Sequence, residues 1–197
     1  MNIAVTGSLG TGKSTVSKIL AATLGAELID TDQLCRLQMQ PGAEGFEQFL
    51  RDFGQRFIQD DGTIDRIHLR QAVFDDIGLK TKLEGILHPK VRRQVISRCR
   101  VGSIRNETLI VEVPLLYEVG WQDDFDICVV VYVPETLCIQ RVIERDGMGI
   151  EEIKQILKAQ IPTRKKLDYA HFIVENSGTF VSTVHQLNWL SREIKRR

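Results

Sequence analysis

The chain has 197 residues, of which 43% are apolar and 26% charged; this suits one globular domain with a full hydrophobic core and excludes a disordered or fibrous polypeptide. Its 26 basic and 26 acidic side chains cancel, so overall charge points to neither nucleic acid nor a membrane surface as a partner. Cys35, Cys99, Cys128 and Cys138 show no metal or redox spacing, no segment resembles a signal peptide, and no apolar run is long enough to span a bilayer, so a reducing, cytoplasmic location is expected.

Asn2-Ile3-Ala4-Val5-Thr6 reads as a buried strand that runs straight into Gly7-Ser8-Leu9-Gly10-Thr11-Gly12-Lys13-Ser14. The latter matches G-x-x-x-x-G-K-[S/T], the phosphate-binding loop of nucleoside triphosphate enzymes. The glycines let the backbone wrap an anion without a Cβ in the way. The loop N–H groups make a concavity for it, and the following helix points its positive end at the same place. Lys13 is then placed to bridge the β- and γ-phosphates, and the Ser14 hydroxyl to hold Mg²⁺. Val16, Ile19, Leu20 and Leu24 recur at helical spacing behind the loop.

Strands are predicted over 3–6, 27–29, 108–113, 127–133 and 172–174, with helices over 13–24, 135–146 and 179–195. Alternation of apolar strands with helices predicts an α/β fold: a three-layer α/β/α doubly wound parallel sheet with ligands at the carboxyl ends of its strands. Residues 33–106 carry no strand pattern. Phe46, Phe49, Leu50 and Phe53 predict one helix there, and Leu83, Ile86 and Leu87 begin another. One domain spanning 1–197 is expected, with a core of 1–32, 107–138 and 171–197. A helical substrate-binding insertion would occupy 33–106 and a helical lid 139–170.

Several side chains lie where the strands should end. Asp32 could hydrogen-bond a substrate hydroxyl as a base, or merely cap a helix. Glu112 could hold Mg²⁺ through water, or form a local ion pair. Arg141 and Arg145 lie four apart and share a helix face, which suits either a phosphate clamp on a closing lid hinged near Gly147 and Gly149 or an ordinary solvated helix. His88-Pro89 opens a run with Lys90, Arg92, Arg93, Arg98, Arg100 and Arg105 and no acid through 106. That run fits an anionic ligand or a basic face in water.

Further short pieces follow one another in order. They are Leu28-Ile29-Asp30-Thr31-Asp32, Gln40-Pro41-Gly42, Phe53-Gly54, Asp61-Gly62, Leu87-His88-Pro89, Val113-Pro114-Leu115-Leu116-Tyr117-Glu118, Gln140-Arg141, Arg145-Asp146, Ala159-Gln160 and Glu175-Asn176-Ser177-Gly178. Together with the loop they resemble the dephospho-coenzyme A kinase family, a group of phosphate-loop (P-loop NTPase fold) kinases. The resemblance implies transfer of the ATP γ-phosphate to the ribose 3′-hydroxyl of dephospho-coenzyme A, the last step of coenzyme A synthesis, with Mg²⁺ required. It implies that Gly10, Thr11, Gly12, Lys13, Ser14 and Thr15 hold ATP, with Arg145 in the lid and Asn176 approaching the adenine. Asp32 would face the 3′-hydroxyl as base, Lys13 and Arg141 would act on the transferring group, and His88, Leu116 and Glu118 would line the acceptor site. Ser14 and Glu112 remain the expected metal side chains. The alternative is another small-molecule kinase on the same fold, acting on a nucleoside monophosphate. Three positions depart from the family pattern: Ser8 replaces a glycine, His171 an aspartate, and Thr163-Arg164-Lys165 a more acidic stretch.

Overall fold

The computed structural model describes residues 1–196. The chain folds as two compact units, one of residues 1–30 and 98 onward, the other of residues 31–97. Among the described residues the strands are β1 (Asn2–Thr6), β2 (Glu27–Asp30), β3 (Leu109–Glu112), β4 (Ile127–Tyr132) and β5 (Phe172–Glu175). The helices, in chain order, are α1 (Lys13–Leu24), α2 (Thr31–Gln38), α3 (Glu44–Phe53), α4 (Arg66–Asp75), α5 (Ile77–Ile104), α6 (Glu135–Asp146), α7 (Ile150–Lys158), α8 (Thr163–Leu167) and α9 (Phe180–Lys195).

In the first unit all five strands pair in parallel, in the order β2-β3-β1-β4-β5. Each lies where its apolar run predicts it. Alternate residues Ile3, Val5, Ile127, Val129 and Val131 turn to one face of the sheet, where they pack with Val16 and Leu20 of α1 and Leu187, Leu190 and Ile194 of α9. Ala4, Val111, Cys128 and Val130 are equally buried, so the sheet is covered on both sides, as a parallel sheet requires. The strand order reverses at β1, which places a crevice at the carboxyl ends of β1 and β3. Register brings Val5 level with Glu112 and Asp30 level with Glu112, so the ends of three strands stand side by side.

β5 is an edge strand, and a side chain occupies part of its open edge. The Gln186 amide accepts the Glu175 N–H at 3.0 Å and donates to the Glu175 carbonyl at 2.8 Å. His171, just before β5, donates its N–H to the Cys128 carbonyl at 2.9 Å and accepts the Cys128 N–H on Nδ1 at 3.0 Å. An aspartate at this position would offer a carboxylate oxygen to the same N–H; the unprotonated imidazole nitrogen is an acceptor of the same kind.

The second unit is helical, with one isolated antiparallel bridge between Ile58 and Ile64. Its core is aromatic. Phe49 and Phe57 are fully buried, and Phe53 packs its ring 4.8 Å from Phe49 and 6.3 Å from Phe57. Asp65 caps α4 by accepting from the N–H groups of Ile67 and His68. The helix begun at Leu83 in the sequence reading starts earlier, at Ile77, and runs 28 residues through Pro89. The basic run on α5 is partly structural: Lys90 is buried, with its ammonium 2.7 Å from Gln48 Oε1 and 3.6 Å from Glu44 Oε1.

Leu187 is fully buried among the side chains that join α9 to the sheet. Leu187→Ala is therefore expected to cost about 2–5 kcal/mol of stability, read as a lower midpoint in urea unfolding; an unchanged midpoint would mean that α9 is not part of the cooperative core.

Candidate active site

The turn from β1 into α1 is built on two residues in left-handed conformation, Gly10 at φ 82° and Gly12 at φ 81°. A Cβ on Gly10 would lie 2.5 Å from the backbone oxygen of Cys138 in α6, and one on Gly12 would lie 2.4 Å from Asn176 Nδ2. Only glycine fits either place. The Thr11 hydroxyl donates back to the Ser8 carbonyl at 2.9 Å and helps close the turn. Gly12 is the N-cap of α1, with no side-chain cap bond and no acid in the first turn. The helix therefore presents its positive end and its first N–H groups to an anion.

Glu112, at the end of β3, is buried, and its Oε1 accepts the Ser14 hydroxyl at 2.6 Å. Burial pushes this carboxyl up from the usual carboxylate range; the Ser14 hydrogen bond and the Lys13 charge pull it back down, and Asp30 adds to the rise. Carboxylate and hydroxyl form an all-oxygen pair beside the phosphate loop, the donor chemistry a hard divalent cation takes.

Arg141 and Arg145 share α6 but not a partner. Arg141 is half-buried and donates Nη2 to the Asn176 carbonyl at 2.8 Å. Arg145 is exposed and forks onto Asp146 with bonds of 2.8 and 2.6 Å. Asn176, expected to approach the adenine, has protein partners for its side chain. Its Nδ2 donates to the Thr11 carbonyl at 2.8 Å, and its Oδ1 accepts the hydroxyl of Thr183, also at 2.8 Å.

The expected lid is held down at its C-terminal end. Ser8 Oγ lies 2.6 Å from Thr163 Oγ1, and Leu9 N–H reaches Gln160 Oε1 at 3.4 Å. Glu118 Oε1 accepts the Ile161 N–H at 2.9 Å and stands 2.8 Å from the ammonium of Lys166, which is fully buried. The Tyr117 hydroxyl donates to the Tyr169 carbonyl at 3.2 Å. Two of the departures from the family pattern, Ser8 and Thr163, thus meet each other. Leu116, expected to line the acceptor site, is fully buried after β3. The roles of Gln160, Lys166 and Thr183 were missed in the sequence. Among Arg164, Lys165 and Lys166, composition cannot tell which cation turns inward, and Thr183 has no motif of its own.

Asp32 and His88 belong to the second unit. Asp32 is exposed in the first turn of α2, inside the helix and not at its cap, where a carboxylate complements the helix dipole. His88 is half-buried on α5. Burial pushes its imidazole below the usual histidine value, Glu84 opposes this, and Lys80 adds to it.

A family model described as dephospho-CoA kinase matches residues 1–182. The chain belongs to the dephospho-CoA kinase family. It is 36% identical to a dephospho-CoA kinase of Desulfotalea psychrophila, over 95% of this chain and 94% of the relative. The dephospho-CoA kinase of Campylobacter jejuni, a solved structure, superposes with a TM-score of 0.73 at 28% identity, covering 99% of this chain and 97% of its own. A shikimate kinase from Acinetobacter baumannii, with a TM-score of 0.51 at 19% identity and coverage of 99% and 90%, shares the fold alone. The family is one of kinases, for which ATP is the phosphoryl donor.

For a member of this family the glycine geometry has a direct consequence. Gly10→Ala meets both a left-handed φ and a backbone oxygen that cannot swing away. Strain of about 1–3 kcal/mol is expected, together with loss of nucleotide binding in a fluorescent ATP-analogue titration. Gly25→Ala, at φ 66° with nothing within 4 Å of the added methyl, should carry strain but leave nucleotide binding intact. Equal binding by both variants would show that the loop tolerates a side chain at position 10.

Proposed function

We propose that the chain transfers the γ-phosphate of ATP to the ribose 3′-hydroxyl of dephospho-coenzyme A, releasing coenzyme A and ADP. The observation that carries this reading is the phosphate loop with the Ser14–Glu112 pair at the end of β3, in a chain of this family. Phosphoryl transfer needs little covalent help from protein; it needs position, charge and dryness.

Each requirement has residues to meet it. The N–H groups along Gly10, Thr11, Gly12, Lys13, Ser14 and Thr15 enclose the phosphates, and Lys13 bridges the β- and γ-groups. Ser14 and Glu112 hold Mg²⁺, directly or through water, which when bound neutralises charge between those phosphates. Arg141, already turned toward the loop through Asn176, meets the charge that develops on the transferring group. Arg145 can exchange Asp146 for a phosphate oxygen, because an exposed ion pair is weak. Asp32, two residues beyond the end of β2, accepts the proton of the attacking hydroxyl, and His88 and Glu118 contact the acceptor. Among the described residues no cysteine forms a disulfide, which accords with a reducing, cytoplasmic setting.

The decisive assay is coupled ADP release with ATP, Mg²⁺ and dephospho-coenzyme A, run beside AMP, CMP, UMP and adenosine. Release confined to dephospho-coenzyme A, with coenzyme A seen by mass, is expected; release with a monophosphate would overturn the acceptor assignment. Asp32→Asn should lower kcat about 10²- to 10⁴-fold while ATP affinity stays near the parent value, and full turnover in that variant would remove Asp32 from the mechanism.

A further inference from the structure

Asn176 follows β5 and commits both its backbone and its side chain to other parts of the first unit. Its N–H donates to the Tyr132 carbonyl at 2.9 Å and continues the sheet. Its carbonyl accepts Arg141 Nη2, its Nδ2 donates to the Thr11 carbonyl, and its Oδ1 accepts the Thr183 hydroxyl, each at 2.8 Å. Thr183 is 1% exposed on α9. The Thr11 carbonyl can only accept, so it fixes which way the amide faces; turned over, the amide would set oxygen against oxygen. One donor and one acceptor of the amide are thus committed to protein, which fixes its plane between the loop and α9.

We infer that Asn176 and Thr183 are a positioning pair that holds the phosphate loop and the Arg141 guanidinium in one register, and that neither discriminates the base of the nucleotide. The inference deepens the ATP-kinase reading above and rests on it. Thr11 lies between Gly10 and Gly12, two residues with little resistance to rotation. A peptide flanked in this way keeps its amides aimed at a phosphate only if something grips it, and Asn176 grips it by the carbonyl. The same residue offers its own carbonyl to Arg141, so the loop and the cation share one anchor. The anchor in turn is steadied by a buried hydroxyl from α9, which donates to its side-chain oxygen. A misplaced donor or cation weakens transition-state stabilisation far more than it weakens the fold.

Thr183→Val keeps the shape and removes the hydroxyl; Thr183→Ser keeps the hydroxyl. Binding of a fluorescent ATP analogue, its displacement by ATP and by GTP, and steady-state kinetics would be measured for both, with Asn176→Ala alongside. Thr183→Val should weaken ATP and GTP by the same factor, about three- to tenfold, the worth of one ordinary hydrogen bond. It should lower kcat and leave the acceptor KM unchanged. Thr183→Ser should restore wild-type behaviour. Asn176→Ala should lose more affinity while keeping the ATP-to-GTP ratio of the parent. Parent-like binding and turnover in Thr183→Val, or a changed ATP-to-GTP ratio in Asn176→Ala, would overturn the inference. If Thr183→Val fails to fold, Thr183→Ala carries the same expectations. Analogue binding and displacement need no acceptor, so a wrong acceptor assignment would be recognised separately in the ADP-release assay.

Discussion

The site depends on one tight reversal of the backbone between β1 and α1. Two glycines in left-handed conformation pass beneath the α6 backbone and the Asn176 amide with no space to spare. That closeness is what lets β1 feed α1 directly, so that the helix starts at the carboxyl edge of the sheet with its first N–H groups uncapped by side chains. The apolar strands and the helices packed on them are the rigid frame that keeps such a reversal from relaxing. Ordering two glycines costs conformational entropy, and the core of the first unit is where that cost is offset.

Charge is buried around the loop in two different ways. Glu112 is desolvated but has the Ser14 hydroxyl and the Lys13 charge for company, an arrangement in which the carboxylate keeps oxygen available for a cation. Lys166 is fully enclosed and faces Glu118. A buried ion pair of this sort seldom adds net stability, since desolvation consumes most of the Coulomb gain, but it punishes any other arrangement severely. Here it ties the segment after α7 to the turn after β3, and Glu118 also takes the Ile161 N–H. The segment that follows α7 is thus anchored to the turn after β3.

The sheet and the phosphate loop were legible in the sequence because their signals are local. Apolar runs of three residues in β1 and β3 and six in β4 mark these strands, and the loop's glycines and lysine fall within one short stretch. The contacts of Asn176 were not legible: its partner Thr11 lies 165 positions away. Leu116 looked like a site residue because it sits inside a motif, yet its neighbours bury it. α5 begins six residues before Leu83, at Ile77, and holds Pro89 inside it, although a proline in sequence argues for a boundary. Ser8 and Thr163 looked like two unrelated departures and prove to be one contact.

Gln186 has a consequence for how copies of the molecule behave toward one another. A parallel sheet that ends in an open strand presents a ladder of N–H and carbonyl groups that another chain could extend. On β5 the Gln186 amide answers Glu175 with one acceptor and one donor, the same pair of bonds that one residue of a sixth strand would make. Half of Ile173 is exposed on that strand, which would otherwise make it an adhesive border. One glutamine on the covering helix thus answers one residue of that border and leaves a shorter ladder for a strand of another copy to extend.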